Sequence, residues 1–320
     1  MTFHPDSLPD LSGKVFVVTG GTSGIGYYTV AYLAQHGAHV YMCARSTEKG
    51  MKAIAEIKET QPSANIDVLQ MDLMDLSSVV AAAKRLLTMV TTLHGLINNA
   101  GIMATPFEIT KDGHEAQWQT NYLAHFVFTE HLLPLMIQTA KALPPGSVRI
   151  VNLTSSGHLG APKGGINFSD PAMEKDGTPF MRYGQSKLAN ILHTKTLNRS
   201  YGPGSPHASD GKGEVWAACV HPGLVSTSLA DDADANWGVR LLLSLLRILR
   251  FYWPADKGSW NTLFCAASQD FEVKQSGEYL EIFHRFGEPS CLSGSAKDEE
   301  LATKLNQWTK EEMGKEGWLL

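Results

Sequence analysis

The run from Lys14 to Gly26, KVFVVTGGTSGIG, limits the possible folds more than any other stretch. Lys14 to Thr19 is a short apolar segment of strand type. Ile25, Thr29 and Leu33 then recur at helical spacing, with Tyr32 beside them. Between the two lies Gly20-x-x-x-Gly24-x-Gly26, which is not the G-x-G-x-x-G spacing. Strand, glycine turn and helix together form a context for dinucleotide binding. Glycines permit a tight turn and let the backbone approach a pyrophosphate, while the helix N-terminus presents free N–H donors and a favourable dipole. The same residues would also serve a plain strand-to-helix turn, so the rest of the chain has to decide.

The downstream rhythm favours the first reading. Ala38–Cys43, Ile66–Met71, Leu93–Asn98, Ser147–Leu153 and Val215–Val220 read as strands. Helical segments over 47–60 (Thr47 the expected N-cap), 77–91, 115–138 and 182–199 alternate with them. Such alternation predicts a parallel sheet with helices on both faces. Ligands in open α/β sheets gather at the C-terminal ends of the strands. Arg45, Asp72 and the Asn98-Asn99-Ala100-Gly101 turn fall at those ends. No Asp or Glu occurs between Val40 and Thr47, where an acid would bind a ribose 2′-hydroxyl; Arg45 there points to NADP(H). A solvated loop arginine is the plainer alternative.

Tyr183 and Lys187 are four apart, on one face of a helix. A cation beside a phenol favours the phenolate, which makes the pair a tunable general acid/base. Asn121 lies in an apolar helical stretch, where its amide is costly unless satisfied. Thr154, Ser155 and Ser156 end a strand and suit a turn cap. Residues 157–181, rich in Gly, Pro and Asp, form a long loop of the functional or disordered kind, and 201–213 resembles a mobile surface connection. Over 237–253, Arg240, Ser244, Arg247 and Arg250 share one helical side and five leucines the other. That segment suits a lid over a substrate cleft, with contact to a membrane surface possible but less favoured. A helix over 256–268, a strand over 277–281 and a charged helix over 298–313 complete the chain; the last shows no readable chemistry.

Composition excludes several classes. Among 320 residues the net charge is -5, which argues against a nucleic-acid binder. The four cysteines are widely spaced and form no C-x-x-C pair, so a reducing, cytoplasmic setting is expected. No apolar run of about 18 residues suggests a spanning helix, and Met1–Ser12 has no signal-peptide pattern. Twelve histidines are present without metal-site spacing; His158 and His221 read as packing or substrate-loop residues.

Thr19-Gly20, Gly24, Gly26, Asn98-Asn99-Ala100-Gly101, Asn121, Ser155, Tyr183, Lys187 and Pro222-Gly223 occur together and in order. With them the chain resembles a short-chain dehydrogenase/reductase over residues 10–285. Arg45 and the loop after Ser155 make it similar to the retinol-dehydrogenase-like branch, which includes reductases of fungal secondary metabolism. The resemblance implies a single Rossmann-type domain over 1–320: a doubly wound parallel sheet in three layers, with substrate loop 157–181 and helical lid 224–254. It implies an NADP(H)-dependent oxidoreductase acting on an apolar carbonyl/alcohol pair. Tyr183 would be the proton donor or acceptor. Lys187 would lower its pKa and hold the nicotinamide ribose, Ser155 would bind the substrate oxygen, and Asn121 would hold a water in a proton relay. Thr19, Ser23 and Ile25 would line the pyrophosphate turn with Gly20, Gly24 and Gly26. Asp72 would meet the adenine amine, Asn99 and Ala100 the ribose region, and Val225 and Thr227, after Pro222 and Gly223, the carboxamide. Homo-oligomers through the helices holding Asn121 and Tyr183 are possible. The alternative function is a catalytically silent NADP(H)-binding regulatory protein.

Overall fold

The computed structural model describes residues 3–225, 253–282, 286–287, 290 and 292–319. Its centre is a seven-stranded sheet in the order β3-β2-β1-β4-β5-β6-β7, with every pairing parallel. The strands are β1 Val15–Thr19, β2 His39–Ala44, β3 Asn65–Gln70, β4 Gly95–Asn98, β5 Val148–Leu153, β6 Val215–His221 and β7 Tyr279–Glu281. β1, β4, β5 and β6 are buried almost throughout, because helices cover both faces. Strand order reverses between β1 and β4, and a ligand crevice belongs at that switch point.

Helices α1 Gly24–Gln35 and α2 Thr47–Thr60 pack on one face, around Val18, Val40, Met42 and Ile97. Helices α3 Leu76–Met89, α4 Ala124–Lys141 and α5 Pro179–Tyr201 pack on the other, around Val17, Leu96, Ile150 and Ala217. Helix α6 Ala255–Ala267 returns to the first face, beside α1. Each fully buried Leu, Ile or Phe in these layers stabilises the fold by roughly 1.5–3 kcal/mol.

The details differ from the sequence expectations in instructive ways. Ser46, not Thr47, caps α2, its side chain accepting from Lys49 N at 3.2 Å. The helix expected over 115–138 is interrupted by a π-helical turn, Gln119–Leu123, that contains Asn121. Residues 201–213 contain a short helix, Pro206–Ser209. The long loop after Ser155 is held by buried side chains. Gln185 accepts from Asn167 N and donates to Pro171 O, Gln117 donates to Pro179 O, and the Arg182 guanidinium donates to Gly177 O at 2.8 Å. Arg182 also faces the buried Glu115 carboxylate, with Nε 3.7 Å from Oε1.

Helix α7, Glu299–Lys315, covers the outer side of α4 and α5. Tyr122 Oη and Thr309 Oγ1 share a buried hydrogen bond of 2.8 Å, and Thr196 Oγ1 lies 3.4 Å from Ala302 O. The lid expected over 224–254 lies outside the described residues except at its ends. There Val225 pairs with Trp253 and Trp253 N donates to Leu224 O at 2.7 Å, so the two stems meet.

Candidate active site

The site forms along the C-terminal edge of β1, β4, β5 and β6. At the end of β1 the chain turns through Gly20 and Gly24, whose φ angles of 65° and 55° favour glycine. A Cβ on Gly26 would collide with the Gly20 carbonyl and the Asn99 amide. Ser23 is the N-cap of α1 in extended conformation, and its side chain makes no cap hydrogen bond. The first-turn N–H groups thus keep their capacity for an anion at the switch point. These residues fit a dinucleotide pyrophosphate. Val225 and Ile25 converge on Gly258 beside the turn, since a Cβ on Gly258 would stand 2.8 Å from Val225 Cγ2 and 3.1 Å from Ile25 Cγ1. Gly223 has φ 85° and follows Pro222 at the end of β6; Thr227 lies outside the described residues.

Thr19 and Asn99 sit differently from the lining roles expected of them. Thr19 is fully buried, and its Oγ1 accepts from Asn99 N and Ala100 N at 2.9 Å each. Asn99 Nδ2 donates to Thr19 O at 2.8 Å and to Gly20 O at 3.4 Å. Both therefore hold the turn from behind, and the Asn99 amide donors are spent on it. Arg45 is exposed at the end of β2, where its carbonyl accepts from Gln70 Nε2. Asp72 lies just past β3 and accepts from Met74 N at 3.0 Å.

Tyr183, Ser155 and Lys187 come together from α5 and the end of β5. A Cβ on Gly157 would stand 2.7 Å from Tyr183 Cε1 and 3.3 Å from Ser155 Oγ, so the phenol ring and the serine flank one small space. Ser155 caps the turn Ser156–Gly160, accepting from Gly157 N at 3.0 Å; Ser156 is exposed. Lys187 Nζ lies 5.7 Å from the Tyr183 ring centroid and donates to Leu153 O at 3.1 Å. Thr154 Oγ1 donates to Lys187 O at 2.7 Å, which locks the strand end to the helix.

Electrostatics at the pair differ from the simple expectation. Burial pushes Tyr183 up to about 12, with a Ser155 hydrogen bond acting the other way. Burial pulls Lys187 down to about 8. The ammonium lies 5.7 Å from the ring centroid, and desolvation is the largest influence on both groups.

Asn121 is completely buried, and its amide N–H groups donate to Ile102 O and Ser186 Oγ while Oδ1 accepts from Ile102 N. Ser186 in turn donates to Tyr183 O at 2.8 Å. The Asn121 side chain is thus a brace that reaches the helix of Tyr183 and Lys187 through Ser186. A residue that sequence reasoning passed over completes this brace. His125 Nδ1 lies 3.1 Å from Asn121 O and Nε2 lies 2.9 Å from Thr19 Oγ1. The carbonyl can only accept, so Nδ1 carries the proton and the threonine hydroxyl donates to Nε2. Burial holds this imidazole down to about 4, which keeps it neutral. Its position four residues after Asn121 was the available signal. No cluster of metal-ligating side chains occurs among the described residues.

The sequence profile of the short chain dehydrogenase family matches residues 14–237. The chain is 50% identical over 314 residues to the short-chain dehydrogenase/reductase drtF of Aspergillus calidoustus, covering 97% of each chain. It is 35% identical over 297 residues to retinol dehydrogenase 12 of Mus musculus, covering 92% of this chain and 84% of that one. A solved structure of an uncharacterized protein from Mycobacterium Paratuberculosis superposes with a TM-score of 0.73 at 32% identity, covering 97% of both chains. With the parallel sheet, the glycine turn and the Ser155, Tyr183 and Lys187 constellation, the chain belongs to the short-chain dehydrogenase/reductase family of NAD(P)-dependent oxidoreductases, in the branch that holds retinol dehydrogenases and fungal reductases.

Proposed function

We propose that the protein is an NADP(H)-dependent oxidoreductase that interconverts an apolar carbonyl compound and its alcohol. The substrate class is bulky and largely hydrocarbon: retinoid, steroid, polyketide or terpenoid in type. The observation that carries the reading is the convergence of the Ser155 hydroxyl and the Tyr183 ring beside Gly157, with Lys187 Nζ over that ring. The dinucleotide supplies the hydride, and the chain's own residues place it and manage one proton. Ser155 donates a hydrogen bond to the substrate oxygen. Tyr183 gives its proton to that oxygen in reduction and takes it back in oxidation. Lys187, a buried cation, stabilises negative charge developing between them and binds the nicotinamide ribose.

Arg45 supports the preference for a 2′-phosphate, since it is exposed at the end of β2 with no carboxylate beside it on that strand end. Large exposed apolar side chains on the segments next to the site support the substrate class: Leu159 and Phe180 near the ends of the loop after Ser155, and Leu224 and Trp253 at the meeting stems of the 224–254 segment. Among the described residues Cys43, Cys219 and Cys265 are buried and free, which supports a reducing, cytoplasmic compartment. No helix among the described residues is long and apolar enough to cross a membrane.

The test is incubation with NADPH or NADH and a panel of apolar ketones and aldehydes, followed by nicotinamide absorbance. NADPH is expected to be consumed and NADH to be used poorly, with Arg45→Asp reversing the order. Tyr183→Phe is expected to lower turnover by about 10²–10⁴-fold while dinucleotide binding survives. A Tyr183→Phe variant as active as the wild type would refute the acid/base assignment.

A further inference from the structure

Beside the catalytic pair lies a second group of polar side chains that the hydride chemistry does not use. His158 follows Ser155 by three residues, His221 ends β6, and Tyr279 opens β7. The strand register pairs Cys219 with Tyr279 and His221 with Glu281. Alternation places Tyr279 and Glu281 on one face of the strand. That is the α5 face, where Tyr279 packs in the same core as Cys219 and Leu188. The His158 and Tyr279 rings meet edge to face at 5.3 Å. His158, His221 and Tyr279 are 2%, 6% and 0% exposed.

Three atoms in this group, His158 Nε2, His221 Nδ1 and Tyr279 Oη, are buried with no hydrogen-bond partner among the described residues. A buried polar atom left unpaired is costly, so three together in one place require a physical reason. Their chemistry is defined. His158 Nδ1 donates to Ser155 O at 2.8 Å, so Nε2 is a bare lone pair whenever the ring is neutral. Burial favours that neutral form and likewise holds His221 down to about 4. Tyr279 keeps its proton: burial raises it first, and the Glu281 carboxylate, close enough to act on the phenol but without a well-formed hydrogen bond to it, raises it further, with Tyr183 also within electrostatic reach. The cluster thus offers an acceptor at His158 and a donor at Tyr279.

We propose that His158, His221 and Tyr279 form a subsite for a hydroxyl group that the substrate carries near its reacting carbon. The proposal rests on the carbonyl/alcohol oxidoreductase reading above and narrows its substrate class to hydroxy ketones, or diols in the oxidative direction. A hydroxyl can donate to His158 Nε2 and accept from Tyr279 Oη at once. A ketone or ether oxygen would satisfy only Tyr279, and a methylene would leave every atom unpaired. A site built around a hydroxyl discriminates strongly against the analogue lacking it, because its own polar groups are then left bare.

The test compares matched ketones with NADPH: cyclododecanone against 2-hydroxycyclododecanone, and 1-tetralone against 2-hydroxy-1-tetralone. Wild type is expected to favour the hydroxylated member by at least about tenfold in kcat/KM. Tyr279→Phe, which removes a single oxygen, is expected to bring that ratio close to one. His158→Phe serves as the second variant should the first fail to fold. Reading a ratio cancels any general loss of activity. Turnover of both members without preference, or a preference that both variants retain, would overturn the subsite while leaving the oxidoreductase assignment standing. No turnover of any ketone in the panel would overturn both.

Discussion

Tyr183 and Gly157 are packed so tightly that a Cβ on the glycine would stand 2.7 Å from Tyr183 Cε1 and 3.3 Å from Ser155 Oγ, forcing the ring or the hydroxyl to shift. Gly157 needs no left-handed backbone, so its requirement is space alone. Gly157→Ala is expected to lower kcat/KM by about 100-fold, the scale on which a misplacement of ~1 Å acts. Dinucleotide affinity is expected to hold, because the glycine lies on the substrate side. Steady-state kinetics with a fluorescence titration of NADPH would check this. Unchanged turnover would mean that the ring and the hydroxyl do not act together.

His125 joins two parts of the site that are far apart in the chain, the Thr19 hydroxyl behind the glycine turn and the Asn121 carbonyl on the catalytic side. His125→Leu would leave both without that partner in a dry interior. Stability is expected to fall by about 1–3 kcal/mol. The dinucleotide Kd is expected to rise, as the turn loses its brace. His125→Gln, which can donate at one end and accept at the other, should recover part of both losses. Thermal melts and calorimetric titration would separate the two effects. A melting change with no change in affinity would reduce His125 to a packing role.

Tyr122 and Thr309 tie helix α7 across the outer side of α4 and α5. An assembly through those helices would have to displace α7. The full chain is therefore expected to run as a monomer in size-exclusion chromatography with light scattering. Thr309→Val is expected to cost about 1–2 kcal/mol by stranding the Tyr122 hydroxyl, observable by denaturant unfolding. A dimer at low micromolar concentration would disprove the monomer expectation.

Four buried histidines with strongly lowered pKa values set most of an acid limit, and burial shifts His158 the same way. Burial holds His94, His125 and His221 down to about 4 and His193 to about 3. In the unfolded chain these rings take up protons near pH 6.5. Between those values the unfolded state binds more protons, so stability is fully present above about pH 6.5 and is lost as pH falls toward 4. Glu115, raised by burial, has the opposite sign, but it is a single group. Unfolding free energy followed from pH 7 to 4.5 is expected to fall with a slope approaching four protons. A flat profile would show that the rings are already charged in the folded protein.

The layout of the fold was readable because its signals are local. Alternating apolar strands and amphipathic helices announce a parallel sheet, and Gly20, Gly24 and Gly26 mark the turn where the backbone has to bend sharply. Tyr183, Lys187 and Ser155 were readable as residue types in known order. The interruption of the helix at Asn121 was not. A π-helical turn depends on tertiary contacts to Ile102 and Ser186, which no spacing rule encodes. Terminal helix α7 carried no chemical signal, because its work lies in packing on α4 and α5.

By itself the sequence determined which strands and helices alternate, where the chain turns, and which family's residue types stand in order along it. Tertiary structure alone decided how those groups are used. It buried Tyr183 and Lys187 so deeply that desolvation outweighs their mutual attraction, and it spent the Asn121 amide on Ser186. It also gathered His158, His221 and Tyr279 from three distant segments into one unpaired cluster. The reason is physical: periodicity and backbone preference act between near neighbours, whereas pKa values and hydrogen-bond partners depend on what folding brings alongside.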